Sequence, residues 1–383
     1  MNRPRREPLR VCLLGLGSVG AEVARGLLER PAALAAGAAG RPIELVAVGV
    51  RQPGRVRAIE LPSSVRRTDD LAALAADPTI DILVELLGGL DPAADLVTGA
   101  LAAGRSVVTA NKALLAERGA ELETLGRERG AALRFEAAVG GGLPILGPLA
   151  ADLAANRWSR VRGVVNGTTN LLLERMAQTG QPLEACLAEA RGQGILEADA
   201  ADDVEGFDAA RKLAILIRLC FGAWPDVAAI PRGGDEAGSG IRSATPGVAG
   251  VTPEAIAAAA RVGRVLKLVA EARRGTDGTI AAEVGLVALP AEEPLARVRG
   301  TDNRIELEGE PLGTVAFEGP GAGGRATSSA VLGDLLALAR GEGSTWAGLP
   351  AAGRLAAEGV ARLPADADAD AASARAPSLE AVG

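Results

Sequence analysis

The chain opens its folded part with Leu9-Arg10-Val11-Cys12-Leu13-Leu14-Gly15-Leu16-Gly17-Ser18-Val19-Gly20. A compact apolar run leads directly into glycines with GxGxxG spacing, and helical periodicity follows over residues 21–30. Gly15 permits a tight turn, Gly17 lets a pyrophosphate approach the backbone, and Gly20 lets the helix and the sheet pack closely. The stretch therefore predicts a dinucleotide-binding βαβ unit. A glycine-rich turn without a ligand is the alternative, because a chain with 50 glycines produces such patterns by chance.

Apolar, β-branched runs alternate with helical segments through the first part of the chain. We predict strands at residues 9–14, 43–50, 80–87, 106–110 and 133–138. Strands that alternate with helices of this length indicate a parallel sheet covered by helices. The sequence therefore predicts an α/β fold whose first domain, residues 1–138, is a doubly wound parallel sheet of the Rossmann type.

The pattern changes after Gly140-Gly141-Gly142-Leu143-Pro144. Mixed helical and β-prone segments predict a second, α+β domain over residues 139–318, with a helix at 253–266 among its elements. A helix within residues 319–341 is expected to return to the first domain. Residues 342–383 are rich in Ala, Asp and Gly without clear periodicity, and we expect a poorly ordered tail there.

Composition excludes several classes of protein. A hydrophobic content of 48% argues against disorder, and a net charge of −7 offers no broad attraction to nucleic acid or to an anionic membrane. No window of about 18 uncharged apolar residues predicts a membrane span. Three cysteines, odd in number and far apart, are typical of buried thiols in a reducing compartment, and we expect a cytoplasmic protein.

The chain contains no His and no Tyr, so acid–base chemistry must fall to Lys, Asp, Glu or Cys. Carboxylates cluster between Glu197 and Asp208, and Lys212 follows Asp208 by one helical turn on the same face. This arrangement suits a site that holds an ammonium ion beside a lysine proton donor. The alternative is a solvated loop followed by a surface ion pair, worth about 0.3–0.5 kcal/mol.

The end of the second predicted strand bears on the choice of cofactor. NAD enzymes usually place Asp or Glu there to bind the ribose 2′-hydroxyl. This chain has Gly49-Val50-Arg51-Gln52 and no acid until Glu60. Because Arg51 could pair with a 2′-phosphate, the sequence predicts a preference for NADP. A solvated arginine loop is the alternative.

Several separated motifs occur in one order along the chain. They are Gly15 to Gly20, Glu85-Leu86-Leu87-Gly88-Gly89, Thr109-Ala110-Asn111-Lys112-Ala113, Asn166-Gly167-Thr168-Thr169-Asn170, Glu197-Ala198-Asp199 with Asp208 and Lys212, and Gly319-Pro320-Gly321-Ala322-Gly323. Together they resemble the homoserine dehydrogenase family from about residue 9 to residue 340. The resemblance implies NAD(P)-dependent interconversion of aspartate semialdehyde and homoserine, on the route to threonine, isoleucine and methionine, by a homodimer.

The resemblance also implies roles for individual residues. Lys212 matches the proton donor to the aldehyde oxygen, Lys112 matches a lysine near nicotinamide and substrate, and Glu197 and Asp208 match substrate-binding carboxylates. The cofactor-binding positions that the resemblance implies are Gly17, Ser18, Val19, Lys112, Gly194 and Gly323. The glycine spacing and the end of the second strand add Gly15, Gly20 and Arg51. The implied ligands of a monovalent cation, expected to be sodium, are Glu136, Val139, Gly141 and Leu143, with one carboxylate and three backbone carbonyls.

Two other functions stay open at this point. Ile195 stands where many family members carry an aromatic residue, which leaves room for a related oxidoreductase that acts on another small amino acid or semialdehyde. The other is a catalytically silent, NADP-binding regulatory protein, against which the intact set of lysines and carboxylates argues. The segment after residue 340 is too short for the family's small regulatory domain, so the sequence predicts a short form without threonine feedback.

Overall fold

A computed structural model describes residues 7–193, 200–233, 245–353, 355 and 359–363. The first part of the chain forms β1 (Leu9–Leu14), α1 (Ser18–Glu29), α2 (Pro31–Gly37), β2 (Ile43–Gly49), β3 (Arg66–Thr68), α3 (Leu71–Ala76), β4 (Ile82–Glu85), α4 (Ala93–Ala102), β5 (Ser106–Thr109), α5 (Lys112–Arg129) and β6 (Leu133–Arg134). The six strands form a parallel sheet in the order β3-β2-β1-β4-β5-β6. This is the doubly wound order of a Rossmann-type sheet, which confirms the predicted fold class.

The second part contains α6 (Leu146–Ala150), β7 (Arg157–Val164), α7 (Gly167–Thr179), α8 (Leu183–Gly192), α9 (Ala201–Val204), α10 (Phe207–Phe221), α11 (Pro253–Arg261), β8 (Arg264–Arg274), β9 (Ile280–Pro290), β10 (Asp302–Glu310), β11 (Gly313–Pro320), α12 (Gly324–Arg340) and β12 (Val360–Ala361). Its strands form a mixed sheet in the order β11-β10-β7-β8-β9-β12. Alternate residues of β8, from Leu266 to Ala272, enter the main apolar core together with buried residues of α7 and α10.

Helix α12 packs against elements of the first part of the chain. Its Val331, Leu332 and Leu335 belong to the same apolar cluster as Leu13 of β1 and Val23 of α1. The two helices approach so closely that a methyl group on Gly26 of α1 would lie 2.7 Å from a methyl carbon of Leu332. The first domain is therefore completed by residues that follow the second domain in sequence.

The strands predicted at 43–50, 80–87 and 106–110 shorten to Ile43–Gly49, Ile82–Glu85 and Ser106–Thr109, and two other predicted elements end further from their expected bounds. The fifth strand is limited to Leu133–Arg134, because residues Glu136–Ala138 turn into a single 3₁₀ turn. The helix predicted at 253–266 ends at Arg261, since Gly263 adopts a left-handed φ of 71° and β8 begins at the next residue. A run of alanines had extended the helical pattern past the glycine that stops it.

The prediction of a poorly ordered tail from residue 342 is wrong for residues 342–353. Thr345 N donates to Leu133 O (3.0 Å), and the Thr345 hydroxyl accepts a hydrogen bond from Phe135 N (3.2 Å). Trp346 is buried, and its ring centroid lies 5.3 Å from that of Phe135. These contacts hold the segment along β6, where it covers the edge of the sheet. Residues 364–383 lie outside the described residues.

The cysteines carry free thiols, and Cys12 and Cys186 are buried while Cys220 is half-buried. Burial raises the pKa of the Cys12 thiol to about 12, so that it stays protonated and unreactive. Among the described residues, no helix combines the length and the apolar character needed to cross a bilayer.

Candidate active site

Lys112 is the first residue of α5, and Asp208 and Lys212 lie in the first turns of α10. Lys112 Nζ lies 3.0 Å from Asp208 Oδ1, and Lys212 Nζ lies 2.7 Å from Asp208 Oδ2. The Asp208 side chain is 7% exposed and that of Lys212 is 11% exposed, whereas that of Lys112 is 38% exposed. Two lysines from different domains thus share one buried carboxylate, and this is no surface ion pair.

The charges of this cluster reinforce each other. Burial alone would raise the pKa of Asp208, but the ammonium groups of Lys212 and Lys112 outweigh it and hold that pKa well below its usual range. In return, the negative charge of Asp208 raises the pKa of Lys112 against the opposing effect of burial. Asp208 is therefore ionised and Lys112 is protonated at neutral pH.

The turn before α7 contributes a buried amide that the sequence did not assign to the chemistry. Asn166 Nδ2 donates to Asp208 Oδ2 (2.8 Å) and to Asp203 Oδ1 (2.6 Å). Asn166 Oδ1 accepts from Thr169 N (2.8 Å), which caps α7 and fixes the orientation of the amide. The bridge between two carboxylates had no signal in the sequence, because it depends on α9 and α10 folding back on β7.

Lys212 has a second acceptor besides Asp208. Its Nζ donates to the backbone carbonyl of Val165 (2.6 Å), the last residue before Asn166. An ammonium group has three N–H donors, so one of them remains for a substrate. The amine is therefore oriented by two fixed acceptors and has one donor to offer.

The first residues of α5 are anchored to the preceding strands. Asn111 Oδ1 accepts from Leu114 N (3.1 Å), which caps the helix that begins at Lys112. Buried Glu85 accepts from the Thr109 hydroxyl (2.6 Å) and, through its other oxygen, from Leu87 N (2.7 Å). Thr109 and Glu85 thus fix the ends of β4 and β5, from which Lys112 projects.

The predicted nucleotide loop has the geometry that its glycines require. Gly15 adopts a φ of 99°, and a Cβ there would lie 2.7 Å from Leu86 O. A Cβ on Gly20 would lie 2.2 Å from Gly15 O, whereas one on Gly17 would meet no atom within 4 Å. Gly15 and Gly20 thus serve the fold, and Gly17 leaves open space beside the start of α1, whose first residues are Ser18 and Val19.

Two helices, α1 and α12, begin beside the glycine loop of residues 15–20, and neither has a side-chain cap at its N-terminus. Gly17 precedes α1 and Gly323 precedes α12, and neither provides a capping side chain. Gly324 lies against the turn, since a Cβ there would lie 2.7 Å from Ser18 O. Free N–H groups at helix N-termini favour anionic ligands.

Arg51 is exposed and follows β2, whose last residue, Gly49, accepts a hydrogen bond from Gly15 N (2.9 Å) of the glycine loop. Arg57 joins the two loops, because its guanidinium donates to Leu16 O (3.3 Å) and to Gln52 O (3.3 Å). Arg51 therefore lies at the end of β2 where a ribose-recognition residue belongs in this fold.

The four residues implied for a cation lie in one turn region between β6 and α6. The Glu136 carboxylate accepts hydrogen bonds from Ile145 N (2.6 Å), Leu146 N (2.9 Å) and Gly147 N (2.5 Å). Burial and the charge of Asp334 raise the pKa of Glu136 against those three bonds. No cluster of three or more His, Cys, Asp or Glu side chains suited to a metal occurs among the described residues.

Two of the predicted site residues are Gly194 and Glu197, and both lie outside the described residues, as do Ile195 and Leu196.

Two family models match the chain. One is described as the NAD binding domain of homoserine dehydrogenase and matches residues 15–136; the other is described as homoserine dehydrogenase and matches residues 144–336. The homoserine dehydrogenase of Mycobacterium tuberculosis strain H37Rv is 39% identical over 338 residues, which cover 87% of this chain and 73% of the relative. That of Synechocystis sp. is 40% identical over 334 residues, which cover 86% of this chain and 72% of the relative.

Solved structures agree with these matches. A homoserine dehydrogenase from Thiobacillus denitrificans superposes with a TM-score of 0.79 at 34% identity, covering 93% of this chain and 79% of that one. A hyperthermophilic archaeal homoserine dehydrogenase in complex with NADPH gives a TM-score of 0.70 at 26% identity, covering 87% of this chain and 97% of that one. These matches confirm the resemblance drawn from the motifs, and the chain belongs to the homoserine dehydrogenase family.

Proposed function

We propose that this chain interconverts L-homoserine and L-aspartate 4-semialdehyde, with NADP as its preferred cofactor and Lys212 as the proton donor and acceptor. The observation that carries the proposal is the sharing of buried Asp208 by Lys112 and Lys212. It joins the predicted nucleotide domain to the second domain at a point where a buried carboxylate meets two ammonium groups. A substrate that carries both an ammonium and a carboxylate group suits such a place.

Lys212 is suited to handling the proton of the reacting oxygen. When the aldehyde is reduced, negative charge develops on its oxygen, and the remaining N–H of Lys212 both stabilises that charge and supplies the proton. In the reverse direction the neutral amine takes the proton of the homoserine hydroxyl. Asp208 and the Val165 carbonyl hold Nζ in place during both steps.

Lys112 and the substrate-binding carboxylates complete the proposed site. Lys112 is the more exposed of the two amines, and its raised pKa keeps it positive beside the bound substrate. A permanent positive charge there favours the substrate carboxylate and the charge that develops during reduction. Asp208 would bind the substrate on its remaining acceptor positions, and Glu197 remains the predicted partner of the substrate ammonium.

The residues around the glycine loop fit a nicotinamide dinucleotide. Bound NADP would supply the acceptor or donor of the hydride that moves to or from C4 of the substrate. Open space at Gly17 and the uncapped N-termini of α1 and α12 suit the pyrophosphate, with Ser18, Val19 and Gly323 beside it. The related archaeal enzyme with NADPH supports this cofactor class. Arg51 is proposed to pair with the 2′-phosphate and to confer the preference for NADP.

A monovalent cation, expected to be sodium, fits the region of Glu136. Val139, Gly141 and Leu143 are buried, and their carbonyl oxygens accept no hydrogen bond from the described part of the chain. Unpaired buried carbonyls are costly, and a hard cation satisfies several of them at once. Three backbone donors occupy part of the Glu136 carboxylate, which leaves it an acceptor position for such an ion.

The second sheet offers a surface for the proposed homodimer. Helices cover one face of it, whereas the other face carries paired charges that include Arg160 with Glu271 and Arg162 with Glu306. These side chains are already neutralised by each other and are 9–16% exposed. A sheet face whose charges are paired can pack against a second copy without leaving an unpaired buried ion.

Oxidation of homoserine, followed at 340 nm with NADP and with NAD, tests the function. Activity with homoserine that exceeds activity with other small amino alcohols, and that is faster with NADP, is expected. Lys212→Met keeps the buried stem and removes the amine, so kcat should fall by about 10²–10⁴-fold while NADPH still binds. Wild-type protein without homoserine-dependent reduction of either cofactor would refute the proposal.

A further inference from the structure

The buried side chain of Asn303, on β10, lies between the Val165 carbonyl that binds Lys212 and the glycine-rich loop of residues 319–323. Asn303 Nδ2 donates to the Val165 carbonyl (3.1 Å), which also accepts the hydrogen bond from Lys212 Nζ (2.6 Å). A backbone carbonyl has two lone pairs, so both acceptor positions of Val165 are used. The orientation of this carbonyl is therefore fixed from two sides.

The other end of the same amide lies against the loop that precedes α12. Asn303 Oδ1 is buried and accepts no hydrogen bond from the described residues. A Cβ built on Gly321 would lie only 2.1 Å from it, so the amide occupies the space that any side chain at position 321 would need. Gly321 belongs to the Gly319-Pro320-Gly321-Ala322-Gly323 loop, and Gly324 beyond it lies against Ser18.

We propose that Asn303 is a positioning residue for Lys212. By fixing the Val165 carbonyl, it sets the direction of the one Lys212 N–H that remains for the substrate. Its contact with Gly321 ties that direction to the loop that borders the proposed cofactor site. The inference rests on the proposed function, because it requires Lys212 to exchange a proton with the substrate.

The physical reason is the flexibility of lysine. A four-carbon stem has many rotamers, and a rotating ammonium group can point a donor in any direction. Asp208 restrains Nζ from one side, and the Val165 carbonyl restrains it from the other. Without the amide of Asn303, the peptide unit of Val165 loses one of its two hydrogen bonds and the lysine loses a fixed acceptor. A misdirected donor slows the chemical step more than it weakens binding.

A single-turnover experiment separates positioning from folding. Equal concentrations of enzyme and NADPH are mixed rapidly with excess aspartate semialdehyde, and absorbance is followed at 340 nm. The rate constant of the fast phase reports the chemical step, and its amplitude reports the fraction of competent sites. Asn303→Ala is expected to lower the rate constant at least tenfold, while the amplitude and the Kd for NADPH stay within about twofold of wild type.

Two further variants sharpen the test. Gly321→Ala should displace the Asn303 amide by steric contact and slow the same step. The double variant Gly321→Ala/Asn303→Ala should be no slower than Gly321→Ala alone, because both changes act through the same amide and the alanine at 303 no longer clashes. Asn170→Ala is the matched control. Asn170 is an equally buried amide that donates to the carbonyls of Val298 and Gly300, accepts from Lys267 Nζ (2.6 Å) and does not touch Lys212. Asn170→Ala therefore removes at least as many buried hydrogen bonds as Asn303→Ala, while the rate constant of the fast phase should equal that of wild type.

The outcomes distinguish this inference from the proposed function. If the wild-type protein does not oxidise NADPH with the semialdehyde, the proposed function fails. If the wild-type protein is active and Lys212→Met is not, but Asn303→Ala keeps the wild-type rate constant and only loses amplitude, then Asn303 has a purely structural role and the inference is wrong.

Discussion

Glu123 of α5 and Arg218 of α10 form an ion pair 2.7 Å long that is almost entirely shielded from water. The indole N–H of Trp224 donates to the same carboxylate (2.9 Å). These are the two helices whose first turns hold Lys112 and Asp208 together. The buried pair therefore joins the helices a second time, about three turns further along each of them.

Arg218→Met should destabilise the protein strongly, because it leaves the Glu123 carboxylate buried with fewer partners. We expect a loss of about 3–5 kcal/mol in the free energy of unfolding, measured by urea denaturation at fixed protein concentration. Arg118→Met is the control, since Arg118 pairs with Glu121 on the exposed face of α5 and should change stability by about 0.5 kcal/mol or less. A similar effect of both variants would contradict the structural role of the buried pair.

Asp208→Asn should lower both the activity and the pKa of Lys112. The charge of Asp208 is the largest cause of the raised Lys112 pKa, so its removal lets Lys112 lose its proton at a lower pH. The alkaline limb of the profile of kcat/KM against pH should therefore move to lower pH, with a loss of about 100-fold in kcat/KM at neutral pH.

The control for this prediction is Asp202→Asn, which removes a carboxylate from the same region. Asp202 pairs with Arg211 at the surface and does not contact either lysine. Its pH profile should match that of wild type. An alkaline limb that stays in place in Asp208→Asn would show that Lys112 does not set it.

Arg51→Ala should weaken the preference for NADP without affecting NAD. Loss of one charge-assisted contact to a 2′-phosphate is expected to raise KM for NADPH about tenfold and to leave KM for NADH unchanged. Arg41→Ala is a suitable control, because Arg41 lies just before β2, at the opposite end of that strand. Equal effects on both cofactors would remove Arg51 from 2′-phosphate recognition.

Replacement of sodium and potassium by tetramethylammonium at constant ionic strength should lower the activity several-fold. A bulky cation cannot reach the carbonyls of Val139, Gly141 and Leu143, whereas a small hard cation can. Glu136→Gln should abolish the difference between the salts, and Glu342→Gln, which removes a half-exposed carboxylate nearby, should preserve it. Equal activity of the wild type in all salts would contradict the cation site.

Much of the first domain could be predicted from the sequence, because neighbouring residues specify its strands, turns and helices. The run from Leu9 to Gly20 contains a strand, a turn that requires glycine and a helix start. The strand and the turn form at the predicted residues, and the helix begins at Ser18, three residues before its predicted start. The segment around Trp346 was misinterpreted since its composition resembles a tail. Its signal was a tryptophan in a chain with only three of them, together with Ser344 and Thr345, whose hydroxyls accept hydrogen bonds from Leu133 N and Phe135 N.

The charged residues of the described candidate site could be predicted from the sequence, whereas its amide side chains could not. The i,i+4 spacing of Asp208 and Lys212 and the helix-start position of Lys112 gave the three charged groups. Asn166 and Asn303 act through contacts with residues 37 or more positions away, and neither has a sequence neighbour that indicates a partner. Such contacts exist only once β7, β10 and α10 have assembled.

The return of α12 to the first domain has a consequence for how the polypeptide matures. The core around Leu13 and Val23 is closed by side chains from residues 331–339, so the ribosome must synthesise the whole second domain before that core is complete. The two domains therefore cannot mature one after the other in the order of translation. Until α12 emerges, the part of the apolar surface of α1 that Leu332 and its neighbours cover stays exposed on the nascent protein.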